Sequence, residues 1–231
     1  MGIYKVTQYK ETDSMYDLIS DNYFMLLIIN RFNISLGFGE KTIEEVCKLN
    51  NVNVDTFLAV SNLLLNKDYK VDINNNNISL PQLLSYLISS HNIFLNSKLP
   101  DIRKRLLLAL ENGTKKNAVS IINFYDNYVA EVRKHMKFEE DTVFPYINSL
   151  INGEIFKEKY SIKQFSDHHE NIDIKLNDLR NIIVRYYSIK STIELNNVLY
   201  DMFNCSKDLS LHNNIEDFIL IPLIKKIEKK R

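Results

Sequence analysis

The chain has no tryptophan and only five glycines and four prolines among its 231 residues. A turn-rich β architecture needs many more residues that let the backbone reverse, so that class is excluded. Two cysteines, Cys47 and Cys205, cannot build a disulfide framework. Neither sign of charge is in excess: 29 Lys and Arg balance 29 Asp and Glu, so no global field draws the protein to nucleic acid or to a membrane. The apolar runs at 24–29 and 218–223, the second interrupted by Pro222, fall well short of the roughly 18 residues a membrane span requires. The opening residues carry no hydrophobic signal region, and position 6 is Val rather than the Ser or Thr of a myristoylation motif. A cytoplasmic protein is the expectation.

What the chain does have is helix-forming sequence. Apolar content of 45% and charged content of 25% are ordinary for a globular protein, and long stretches of Leu, Ile, Lys, Glu and Asn run between few breakers. The composition changes once, over 66–79, where Lys67-Asp68-Tyr69-Lys70 is followed by four consecutive asparagines, Asn74 to Asn77. Asparagine favours turns and contributes nothing to a core, which places an Asn-rich linker at 67–79 between a small N-terminal domain (1–66) and a larger one (80–231).

Three short helices are expected in the first domain. One spans roughly Ser14–Arg31, capped by Asp13 or Ser14 and burying Met15, Leu18, Ile19, Phe24, Leu27 and Ile28. Another covers Ile43–Leu49, capped by Thr42 with Glu45 in the capping-box position, and Asp55 caps a third that reaches about Leu65. Four long helical segments follow. They run from Pro81 past His91 to about Leu110 with a bend at Pro100, from about Lys116 to Leu150 around Pro145, from Ser161 to Tyr187, and from Thr192 to Lys229 around Pro222. Joined by short connections, they predict an all-α protein whose main domain is an antiparallel four-helix bundle.

Four of the five histidines fall one per long segment: His91, His135, His168 and His212. A lone helical histidine is ordinarily a packed or solvated residue, and a lone His-x-x-x-Glu is ordinarily a surface pair worth a few tenths of a kcal/mol. Here the pair recurs. His135 is followed by Glu139, Glu140 and Pro145; His212 is followed by Glu216, Asp217 and Pro222 at the same offsets. An acid also precedes each histidine by four, Glu131 and Asp208. His91 lies 44 residues before His135, and His168 lies 44 before His212. The domain thus reads as two copies of a helical hairpin, each supplying His and then His-x-x-x-Glu.

Residues four apart on a helix have Cβ atoms roughly 5–6 Å apart, so each His and Glu can reach one metal, or the Glu can bridge two. Four imidazoles and two carboxylates suit iron, zinc or manganese and, shared between two ions, leave coordination positions open. Glu131, Asp167 and Asp208 are candidate outer acids that orient the imidazoles. The ferritin-like alternative needs Glu three before His; Ile88, Val132, Phe165 and Leu209 stand there instead, and Ser166 precedes His169, so it fails. His168 is preferred to His169 for the Asp before it and the 44-residue symmetry.

At His135-Met136, Glu139-Glu140, Phe144-Pro145, Asp167-His168, His212, Glu216 and Pro222, with Leu99-Pro100 after His91, the chain resembles the hemerythrin-like di-iron family over about 80–228. Within it the nearest likeness is to the repair-of-iron-centres proteins, implicated in restoring iron–sulfur clusters after nitrosative or oxidative damage. The resemblance implies two non-haem iron ions held by His91, His135, Glu139, His168, His212 and Glu216, bridged by Glu139 and Glu216. Oxygen-carrying members use a fifth histidine. Only His169 remains for that role, and it lies about 100° around the helix from His168, which argues against a simple oxygen carrier.

The stretch Phe32–Gly39, with Thr42-Ile43-Glu44-Glu45 and Val52-x-Val54, resembles the small domain that precedes the bundle in the repair proteins. Their adjacent cysteine pair falls on Leu36-Gly37 here, so its thiol chemistry is absent; Cys47 is read as a small core residue. A helix-turn-helix reading of the same segment is disfavoured because its second helix opens Asp55-Thr56-Phe57, where a DNA-reading helix should be basic. An interaction or dimerisation module is expected instead.

The implied function is a stress-response protein that binds or reduces NO, O2 or peroxide, or serves damaged iron–sulfur proteins. The alternative is a non-catalytic sensor that signals through the N-terminal module. A bundle holding zinc or no metal is the third reading. Tyr125, Tyr128, Phe124, Tyr186 and Tyr187 are taken as packing, and the C-terminal lysines as a solvated face at a helix C-terminus.

Overall fold

A computed structural model of the chain describes residues 8–66, 69–73, 77–111, 115–154, 156, 160–168, 174–186 and 192–230. Among them the chain is all-α, with one isolated β-bridge, Ser14 to Thr42. The helices are α1 (Met15–Asp21), α2 (Met25–Arg31), α3 (Ile43–Leu49), α4 (Val54–Leu65), α5 (Leu80–Ile93), α6 (Leu99–Leu110), α7 (Lys115–Phe138), α8 (Phe144–Ile151), α9 (Ile162–His168), α10 (Ile174–Tyr186), α11 (Ile193–Ile215) and α12 (Ile221–Glu228). None is long and apolar enough to cross a membrane.

Two compact units emerge: one of Met1–Ser89, Ile147–Ser166 and Asn214–Arg231, the other of Ser90–Tyr146 and Asp167–Asn213. In the first, the single helix expected over 14–31 is two, broken where Asn22 takes an extended conformation and its side chain accepts from the Phe24 amide. Ser14 is its N-cap. Thr42 and Glu45 form the expected capping box. The cap of α4 is Asn53, not Asp55: its side chain accepts from the Thr56 amide, satisfying one of the donors a helix start leaves open.

Asparagine serves helix ends too. Asn33 and Asn51 follow α2 and α3 with φ of 56°, and the next amides, Ile34 and Val52, reach back to the Ile29 and Cys47 carbonyls. This is the Schellman closure, in which a left-handed residue lets the chain turn back on the last turn. Gly153 plays the same part after α8, with φ of 74° and Glu154 bonded to the Ser149 carbonyl. Buried Asn62 of α4 pairs with both backbone groups of Tyr9, accepting its amide at 2.6 Å and donating to its carbonyl at 3.0 Å.

The second unit packs α6, α7, α10 and α11 around one core. Leu99, Ile102, Leu106, Tyr125, Val132, Met136, Leu176, Leu179, Val198, Met202 and Leu209 are all at most 3% exposed. Ion pairs fix the register. Lys98 meets Asp208 and Arg105 meets Asp201, both at 2.6 Å, so the residue number falls on α11 as it rises from Lys98 through α6. Those two helices are antiparallel. Arg103 adds a two-pronged bond to Asp126 of α7, and Lys175 of α10 pairs with Glu131 of α7.

The three prolines inside the long helical segments, of which Pro100 was expected to bend its helix, do something more specific. Each is preceded by a π-helical turn: Phe94–Lys98, Glu139–Val143 and Glu216–Leu220. The amides of Leu99, Phe144 and Ile221 bond five residues back, to Phe94, Glu139 and Glu216. Proline has no N–H and its ring crowds the carbonyl four residues earlier. Widening the preceding turn by one residue gives a way past that crowding without ending the helix, and such turns concentrate at functional sites.

Candidate metal centre

The π-turns matter because two of them open on the acids of the repeat, Glu139 and Glu216. Both side chains are fully buried, as are His91 and His212 to within 1%. One ligand atom from each of these four residues lies within 4.8 Å of the others. The Nε2 atom of His91 is 3.1 Å from Glu139 Oε2 and 3.3 Å from His212 Nε2. His212 Nε2 is 4.0 Å from Glu139 Oε2, and His135 Nε2 is 2.7 Å from Glu139 Oε1.

Short as these approaches are, among the described residues neither Glu139 oxygen is satisfied by a well-directed hydrogen bond. Nitrogen and oxygen atoms of His91, His135, His212 and Glu139 thus converge at separations of 2.7–4.0 Å. That is the spacing of neighbouring donors around a cation with bonds near 2.1 Å. Burial would push the Glu139 carboxyl up, but the His135 and His91 imidazoles facing it hold it well below the usual carboxylate range. A carboxylate kept ionised in a dry interior costs several kcal/mol unless positive charge stands beside it, so this donor set fits a metal ion.

Aromatic rings wall the cluster. Phe144 stacks on His91 with centroids 5.5 Å apart, and Phe94 meets the His212 ring edge-on at 6.0 Å. The outer nitrogen of His91 is also engaged: Nδ1 lies 2.8 Å from Glu140 Oε1.

Of the residues singled out from sequence, His91, Glu139, His212 and Glu216 come together, and His135 joins them through Glu139. The His168 side chain and the whole of His169 lie outside the described residues. Among the candidate outer acids, Asp208 is buried and bonded to Lys98, Glu131 is half-exposed and paired with Lys175, and Asp167 is exposed. Sequence reading gave Glu140 no role. The signal for it was present in the acid that directly follows the glutamate in both copies of the repeat.

A helical bundle with buried histidines and glutamates converging on one point defines a metal-binding bundle protein. The family model of the hemerythrin HHE cation binding domain matches residues 98–224, more than half of the chain, and the chain belongs to that family. The matched span contains His135, Glu139, His168, His212 and Glu216; His91 precedes it by seven residues. No curated protein and no solved structure matches the chain.

Proposed function

We propose that the chain is a non-haem di-iron protein of the nitrosative and oxidative stress response, acting in iron–sulfur cluster repair or in binding and reduction of NO, O2 or peroxide. The observation that carries the reading is the fully buried cluster of His91, Glu139, His212 and Glu216. His91, His135, Glu139, His168, His212 and Glu216 would hold the metals. When bound, the irons would supply redox chemistry and open positions for a small ligand. The protein's own part is to fix the imidazole edges, hold two carboxylates away from water with Glu139 kept ionised, and shield the site behind Phe94 and Phe144. The absence of the cysteine pair at Leu36-Gly37 directs attention to the irons rather than to thiol exchange. Cys47 and Cys205 are both buried.

The test is metal content per chain, with absorption spectra taken before and after anaerobic addition of NO. About two irons with an NO-dependent spectral change are expected, as the hemerythrin-like resemblance implies. His135→Ala should lose most of the iron, while His169→Ala should keep it. Zinc in place of iron, or no spectral response after iron reconstitution, would overturn the proposal. Equal iron loss in both variants would undo the ligand assignment. Turnover of NO or peroxide would support a catalytic role; reversible binding alone would support a sensor.

A further inference from the structure

The geometry points to Glu140 as the residue that positions His91 for metal binding, an inference that rests on the metal-centre reading above. Glu140 and Glu139 are neighbours in one π-turn, yet they meet the same histidine from two directions. Glu139 Oε2 lies 3.1 Å from His91 Nε2, and Glu140 Oε1 lies 2.8 Å from His91 Nδ1. An ionised carboxylate can only accept a hydrogen bond, so Nδ1 carries the proton and donates it to Glu140. The neutral ring then presents the lone pair of Nε2, the same atom that lies 3.3 Å from His212 Nε2 inside the cluster. The opposite tautomer would place a proton on Nε2 and turn it toward Glu139. That state removes His91 from the metal's donors.

Glu140 is placed to hold the ring without itself joining the buried cluster. Its side chain is 44% exposed, against 0% for Glu139 and 1% for His91. The π-turn supports this division of labour. Both acids lie within Glu139–Val143, where the wider turn spreads successive side chains differently from an α-helix. Stacking on Phe144 leaves the His91 ring little freedom apart from the choice of which nitrogen carries the proton. Hydrogen bonds to the outer nitrogen of a ligating histidine fix its tautomer, and their loss typically costs on the order of 10- to 100-fold in metal affinity.

Three variants of the full chain separate this role from a general effect of charge. Glu140→Ala removes the acceptor, Glu140→Gln keeps an acceptor oxygen without the charge, and Asp141→Ala removes an exposed charge from the next residue in the same turn. Ferrous iron affinity is measured anaerobically by competition with a chelator. The protonation of His91 in the iron-free protein is read from 15N shifts of its two ring nitrogens at mildly alkaline pH. Glu140→Ala should weaken iron binding by about 10- to 100-fold and shift His91 toward the Nε2-protonated form. Glu140→Gln should recover most of both properties, and Asp141→Ala should match the parent. Parental affinity and tautomer in Glu140→Ala would overturn the inference, as would an equal loss in Asp141→Ala. If the parent chain takes up no iron, the metal-centre reading fails, and the tautomer comparison alone decides whether Glu140 sets His91.

Discussion

The thiol of α3, a helix that also buries Ile43 and Val46, is shut off from water: Cys47 is 1% exposed, and burial pushes its ionisation up from an ordinary value of 9.0 to about 12. Two consequences belong to that residue alone. Cys47 in the folded protein should resist alkylating reagents at pH 8, because the nucleophile is the thiolate and neither ionisation nor access is available there. The linkage sign also follows. The unfolded chain ionises Cys47 near pH 9 and the folded chain only near pH 12, so the contribution is whole below pH 9 and is lost as pH rises toward 12. At pH 10 the loss is about 1.4 kcal/mol relative to neutral pH. Urea unfolding at pH 7 and pH 10 checks it: Cys47→Ala should show a pH-dependent loss smaller by about that amount. A parental pH dependence in the variant would show that the thiol does not ionise on unfolding. Cys47 as a core residue was legible because a small apolar side chain inside an amphipathic helix has few other roles. The repeat marked Glu140 as a recurring acid but not its partner, because His91 is 49 residues away and the pairing depends on how two helices face each other.

Helix starts and stops were read from side-chain chemistry where that chemistry is local. Thr42 with Glu45 is such a case, since both hydrogen bonds close within four residues: the Glu45 amide to Thr42 Oγ1 at 3.2 Å, and the Thr42 amide to Glu45 Oε2 at 2.9 Å. Thr42→Ala should destabilise the chain by about 1 kcal/mol, measured by chemical denaturation, and leave iron content unchanged. A loss below a few tenths of a kcal/mol would mean water caps the helix as well. Local chemistry misleads where two caps compete. Asp55 and Asn53 are both good caps, and tertiary bonds decide for Asn53, whose own amide is bonded to Gln82 Oε1 at 2.7 Å. The break of 14–31 into α1 and α2 was hidden for a related reason, because the apolar periodicity continues across Asn22 while the backbone does not. The prolines announced an irregularity, but proline chemistry alone does not distinguish a kink from a π-turn. The repeated offset from His135 to Pro145 and from His212 to Pro222 carried the information that both would be resolved in the same way.

At the scale of the whole molecule the question is whether the buried polar cluster weakens the fold or completes it. The imidazoles and carboxylates of the cluster occupy interior volume that apolar side chains would otherwise fill, and the Glu139 carboxylate is held ionised away from water. In the iron-free chain the imidazoles facing Glu139 offset part of that cost. A bound cation changes the balance, because it binds the folded chain and finds no assembled site in the unfolded one. At a free ferrous ion concentration 100 times the dissociation constant, linkage gives about 2.7 kcal/mol for one site. For a chain of this length that corresponds to a rise of roughly 5–10 °C in Tm. Anaerobic melting with ferrous iron and after chelation should therefore differ by that order. His135→Ala should lose most of the difference by losing the metal. Thr42→Ala should melt lower in both states with the difference intact, because its cap has no part in the cluster. If iron leaves the parental Tm unchanged while Thr42→Ala lowers it as expected, the cluster is a polar core and not a metal centre. If the shift is present in the parent and absent from His135→Ala, the metal is part of what holds the bundle together.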